Sequence, residues 1–165
     1  MLTSSKRVIT VGIAEMEVSD DPDATLVTYS LGSCLGVMIY DPVVHVGGLL
    51  HIMLPEANAE KSSKGFNPLK YVDTGVPMLF KEAYKYGAQK NRMKVSVAGG
   101  AQILDDSGFF NIGKRNMATL RKLFWKNGVM IEKEHVEGTV SRTVRLHLND
   151  GKITIKLGWG EEIVL

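Results

Sequence analysis

A single cysteine, Cys34, excludes any disulfide within the chain, and a lone thiol suits a reducing compartment. No apolar run approaches the roughly 20 residues that a membrane-spanning helix needs. The first residues, Met-Leu-Thr-Ser-Ser-Lys-Arg, lack the apolar core of a signal peptide. The expectation is a cytoplasmic protein with no direct membrane insertion. An excess of one charge is also missing. Twenty Lys and Arg stand against eighteen Asp and Glu, a formal net charge of +2. With no basic block either, the chain offers nucleic acid no electrostatic footprint. The histidines His45, His51, His135 and His147 are scattered and show no metal-ligand spacing with the one cysteine. There is no Walker-type loop and no dinucleotide fingerprint, so neither a cofactor nor a metal is expected. Repeats, low-complexity tracts and linkers are absent too. A chain of 165 residues can bury a full core unaided, and a single domain over 1–165 is expected.

What the chain does have is a succession of strands. β-branched residues mark strands at 7–14 and 25–31. Two apolar runs, 34–40 and 46–54, flank the turn Tyr40-Asp41-Pro42 and read as an antiparallel hairpin. The polar stretch 56–67 is either a plain surface connector or a lid over a neighbouring site. Asn67-Pro68 is a helix start. It competes with a later start capped by Asp73 or Thr74, because an interior Pro77 removes a hydrogen bond. Val72, Val76, Leu79, Phe80 and Ala83 form the apolar stripe of that helix, and Gly87 ends it. The second helix starts at the N-cap Asn111, turns Met117, Leu120, Leu123 and Phe124 inward, and stops at Gly128. Further strands are expected at 94–98, 129–136, 142–148 and 152–157, the last pair joined by Asn149-Asp150-Gly151. Gly158-Trp159-Gly160 is irregular. About eight strands with two helices and recurring hairpins make the class α+β.

The 34–54 hairpin carries the chemistry. Cys34 opens its first strand and His51 lies near the end of its second, so antiparallel pairing brings thiol and imidazole to the same end. A thiol beside an imidazole loses its proton more readily, and the thiolate is the nucleophile. Gly32, Ser33 and Gly36 surround Cys34, which places it at a bend. Backbone N–H groups near Gly32 and Ser33 can there meet an oxyanion. Thr28, on the preceding strand, has a hydroxyl able to accept an imidazole N–H and fix the ring. His45 falls at the turn and is expected to be solvated, while His135 and His147 have no assigned role. Each feature also has a structural reading: a buried thiol, a core histidine bonded to a carbonyl, a strand threonine. On residues alone, a cysteine hydrolase and a domain with a merely structural thiol both stand.

The run Thr28-Tyr-Ser-Leu-Gly-Ser-Cys34, then Asp41-Pro42, then His51-Ile-Met-Leu-Pro55, resembles the CheD family of chemoreceptor glutamine deamidases. So do Lys70-Tyr71-Val72-Asp73-Thr74, Ala98-Gly99-Gly100-Ala101 and Asn111-Ile112-Gly113-Lys114-Arg115-Asn116. These motifs run in family order from Val8 to Gly128, and the last forty or so residues match only in general character. The resemblance implies a toxin-type cysteine deamidase fold, two packed mixed β-sheets flanked by helices in an α/β/β/α sandwich. It implies a catalytic trio of Cys34, His51 and Thr28. It further implies conversion of selected glutamines of methyl-accepting chemotaxis receptors to glutamate. Some members bind a CheC-type phosphatase as a second partner. One departure is Gln102-Ile103-Leu104, where the family carries a small residue and then Met-Phe; if that segment touches a partner, partner choice changes with it. Two rival functions share the same residues: a receptor methylesterase, and a non-enzymatic adaptor that binds receptor or phosphatase.

Overall fold

In the computed structural model, which describes residues 7–103, 111–158 and 160–165, two five-stranded sheets face each other. The first runs, in spatial order, β1 (Arg7–Thr10), β3 (Ala24–Leu31), β8 (Arg142–His147), β9 (Ile153–Leu157) and β10 (Glu162–Val164). The second runs β2 (Met16–Ser19), β5 (Val46–Ile52), β4 (Leu35–Asp41), β6 (Lys94–Gly99) and β7 (Lys133–Val136). Both are mixed: β1 pairs parallel with β3 and β6 parallel with β7, and the remaining pairs are antiparallel.

Period-two alternation sorts the core into two layers. From β4, Leu35, Val37 and Ile39 point to one side, where they meet α1 (Val72–Lys85) and α2 (Ile112–Lys126) through Val76, Leu79, Met117 and Leu120. Met38 and Tyr40 point to the other side and pack with Leu49 against Leu26, Val144, Leu146 and Ile155 of the facing sheet. The α+β class and the two-sheet sandwich agree with expectation. Both helices pack on the outer side of the second sheet. In β8 of the first, Val144 and Leu146 are buried, while Thr143, Arg145 and His147 between them are half-exposed.

Three local readings also change. The stretch 7–14 is not one strand. It stops at Thr10, turns through Ala14 at φ 58°, and re-enters as β2 in the other sheet. The short strands β2 and β10, of four and three residues, were not anticipated. Asn67-Pro68 begins only a short 3-10 turn, Pro68–Lys70, in which the Asn67 side chain accepts from the Leu69 amide at 3.0 Å. The true helix starts at Val72, with Pro77 inside it. Asn111 is at the N-cap position of α2 as expected, but in a left-handed conformation (φ 46°), and its side chain does not cap the helix. Leu104 of the departing tripeptide, Trp159 and the first six residues lie outside the described residues.

The β4–β5 turn is held by one buried carboxylate. Asp41 is fully buried and accepts from the amides of Val43 and Gln89, each at 2.9 Å, and from Arg92 Nη2 at 2.8 Å. Burial by itself would push its pKa up. The Arg92 guanidinium and the two amides reverse that and hold it below the usual carboxylate value. Its stabilising contribution is therefore present above the ordinary carboxylate range and is lost as pH falls through the lowered value. Asp41→Ala strands the Arg92 charge and is expected to cost about 3 kcal/mol, measured by urea denaturation near neutral pH.

Candidate active site

His51 sits on β5 directly opposite Gly36 of β4, two residues beyond the inter-sheet residue Leu49. Its backbone is clamped from the far side as well. The His51 N–H donates to the Glu15 carbonyl at 3.1 Å, and its own carbonyl accepts from the Ala14 amide at 2.9 Å. The turn into β2 thus fixes the histidine, a role that no sequence signal suggested.

Thr28 reaches the ring from the facing sheet. Its side chain is wholly buried, its hydroxyl donates to the Val11 carbonyl at 2.8 Å, and the same oxygen lies 2.7 Å from His51 Nδ1. A hydroxyl has one proton to give. With that proton committed to a carbonyl, the oxygen must accept from Nδ1–H. The tautomer follows: Nδ1 carries the hydrogen and Nε2 carries a lone pair. Nε2 is buried and has no hydrogen-bond partner among the described residues. Desolvation lowers the His51 pKa from 6.5 to about 4, so the ring is neutral through the physiological range.

Cys34 immediately precedes β4. It lies two residues from Gly36, the partner of His51, and packs against the inter-sheet cluster. Thiol and imidazole are therefore diagonal neighbours on one face at one end of the hairpin, as the antiparallel reading expected. They are not hydrogen-bonded to each other, since Nε2 is unpartnered. Burial raises the thiol pKa, and the opposing effect of the Cys34 backbone N–H is smaller. The expected drift toward thiolate is thus reversed at rest: burial dominates the thiol, and both groups are neutral.

The bend before Cys34 is held by its carbonyls. Those of Gly32 and Cys34 accept from the amides of Ala101 and Gly100 at 2.8 and 2.9 Å. That of Ser33 accepts from the Asn116 side chain at 3.0 Å. The N–H groups of Ser33 and Cys34 donate to no backbone carbonyl among the described residues. Contact here leaves no room for a Cβ at two glycines. At Gly99 (φ 109°) a Cβ would lie 2.2 Å from the Cys34 carbonyl oxygen, and at Gly113 2.4 Å from that of Gly100. Arg142 braces the same edge from β8, donating to the Gly99 carbonyl, the Glu137 carbonyl and His135 Nδ1 at 3.1, 2.7 and 2.7 Å. Cys34 opens into a groove of about 1270 Å³ with Ser33, Ile103, Ile112 and Glu137 on its walls. No residue of 56–67 lines it, which favours the connector over the lid. His45 is exposed and meets the Tyr40 hydroxyl at 3.0 Å.

The depressed His51 pKa has a sign. Between pH 6.5 and about 4 the unfolded chain binds a proton that the folded ring does not. Stability therefore falls as pH drops through that window. The expected NMR result is a His51 titration midpoint near 4, with an Nε2 shift typical of an unprotonated ring nitrogen at neutral pH. Thr28→Val should scramble the tautomer and move the midpoint.

Comparison with known proteins follows the same line. The family model described as CheD chemotactic sensory transduction matches residues 53–157. "Probable chemoreceptor glutamine deamidase CheD 1" of Syntrophus aciditrophicus is 49% identical over 152 residues, 92% of this chain and 95% of that one. "Probable chemoreceptor glutamine deamidase CheD" of Solibacter usitatus is 43% identical, over 90% of this chain and 88% of that one. The counterpart in Pyrococcus abyssi is 41% identical over 96% of both chains. The solved structure of the hypothetical protein YfiH of Bacillus licheniformis superposes with a TM-score of 0.43 at 13% identity, over 83% of this chain and 60% of that one. With up to 49% identity spanning nearly the whole of both chains, the chain belongs to the CheD family.

Proposed function

We propose that the protein hydrolyses the side-chain amide of selected glutamines in methyl-accepting chemotaxis receptors, leaving glutamate and releasing ammonia, with Cys34 as nucleophile. One observation carries the chemistry: a buried His51 Nε2 with no partner among the described residues, on the same hairpin face and at the same end as the chain's one thiol. The named activity of the relatives supplies the substrate class.

The steps follow from the neutral resting pair. Substrate binding in the groove brings the amide carbonyl to Cys34. As Sγ bonds to the carbonyl carbon, the thiol proton passes to Nε2, and the cationic ring is steadied by Nδ1–H donation to Thr28. The developing oxyanion is met by the N–H groups of Ser33 and Cys34, which donate to no backbone carbonyl among the described residues. The C–N bond then breaks, His51 returns the proton to the departing nitrogen, and ammonia leaves a thioester. Water attacks the thioester with His51 as base, and glutamate is released with the thiol restored. The encounter would be cytoplasmic, the compartment that a lone free thiol suits.

The test is mass spectrometry of a receptor cytoplasmic fragment incubated with purified protein. Glutamine becomes glutamate at defined sites, and Cys34→Ala abolishes the change while remaining folded. Thr28→Ala lowers kcat by about 10-fold or more, less than loss of the nucleophile. Methanol in place of ammonia would make the protein a methylesterase. Unimpaired deamidation by Cys34→Ala or His51→Ala would remove the assignment.

A further inference from the structure

We infer that Asn116 is a positioning residue for the oxyanion donor, acting through the peptide group between Ser33 and Cys34; this rests on the hydrolase chemistry proposed above. Asn116 lies in the first turns of α2 and is fully buried, a polar residue in the row that otherwise turns Gly113, Met117 and Leu120 inward. Its Nδ2 donates to two carbonyls from separate segments, Ser33 before the nucleophile and Met53 after the histidine, each at 3.0 Å. Two carbonyl partners settle which end of the amide is nitrogen. Its Oδ1 has no partner among the described residues. A buried amide with an orphaned acceptor is a poor device for stability alone, so its value lies in what the nitrogen holds.

What it holds is an orientation. A trans peptide is planar, and its C=O and N–H point in opposite directions. Tying the Ser33 carbonyl toward α2 therefore turns the Cys34 N–H away from α2. That N–H belongs to the residue that carries the sulfur, and it acts on the thiol. An amide beside the nucleophilic atom is placed to meet the oxygen that becomes negative when that atom attacks. The Met53 carbonyl takes the second hydrogen and locks the plane of the Asn116 amide. His51 does not depend on Asn116 in this way, since the β2 turn, the β4 ladder and Thr28 already hold it.

The inference separates two reactions of the same sulfur. Alkylation by iodoacetamide forms no oxyanion; attack on an amide carbonyl does. In Asn116→Asp and Asn116→Ala, kcat for deamidation of a receptor cytoplasmic fragment is expected to fall about 10- to 100-fold. KM and the alkylation rate of Cys34 at a fixed alkaline pH should stay within about threefold of the parent protein. Equal loss of alkylation and turnover would mean general damage to the site and would overturn the proposal, as would an unchanged kcat. If neither variant folds, the parent protein still decides: the Asn116 side-chain amide protons should exchange slowly with solvent, and rapid exchange would refute the clamp. Deamidation that survives in Cys34→Ala would instead bring down the underlying hydrolase assignment, so the two failures are distinguishable.

Discussion

The hydroxyl of Thr28 has one proton, and the Val11 carbonyl takes it. The rest of the candidate site depends on that choice. Because the oxygen can then only accept from His51 Nδ1, the ring is held as the tautomer whose Nε2 is a base. The three groups come from different parts of the fold: Val11 from the turn after β1, Thr28 from β3 of the same sheet, His51 from β5 of the other. A carboxylate in the Thr28 position would raise the histidine's affinity for protons. A hydroxyl orients the ring without doing so, which leaves burial free to keep it neutral.

Burial acts on the thiol and the imidazole in opposite directions, raising one pKa and lowering the other. Both shifts favour the uncharged pair. A resting thiolate is thereby avoided; in the proposed mechanism the proton moves only when a carbonyl is present to receive the sulfur. Slow reaction of Cys34 with small electrophiles at neutral pH is then a property of the resting site and does not by itself argue for an inert adaptor. The idea that histidine proximity alone lowers a cysteine pKa omits the desolvation that comes with placing the pair at the edge of a packed sandwich.

The hairpin was legible in the sequence for a physical reason. Two apolar runs about a turn have one plausible register, and register carries Cys34 and His51 to the same end. Both helices were visible in their apolar stripes, although the start of α1 moved because Asn67-Pro68 satisfies a short turn equally well. The contribution of Thr28 was visible only as a possibility, since no local pattern says that β3 belongs to the opposite sheet. Val11, Asn116 and Arg142 were not visible as parts of the site at all. Each acts through contacts between distant segments, and periodicity reports which face of an element is buried, not which carbonyl lies above it. Asn116 did leave a trace, as a polar residue on the inward row of α2. The alternation in β8 was equally legible: Val144 and Leu146 face the core, and Thr143, Arg145 and His147 between them stay half-exposed.

The Thr28–His51 hydrogen bond spans the gap between the two sheets, and its length is set by how closely they pack. Met38, Leu49, Leu26 and Leu146 fill that gap. Side chains buried so densely have no slack to absorb a change in volume. The spacing of the sandwich is thus transmitted to the imidazole as surely as a shim beneath a bearing sets its alignment. Warming that loosens the interlayer core would shift the imidazole against Thr28 while both sheets were still intact.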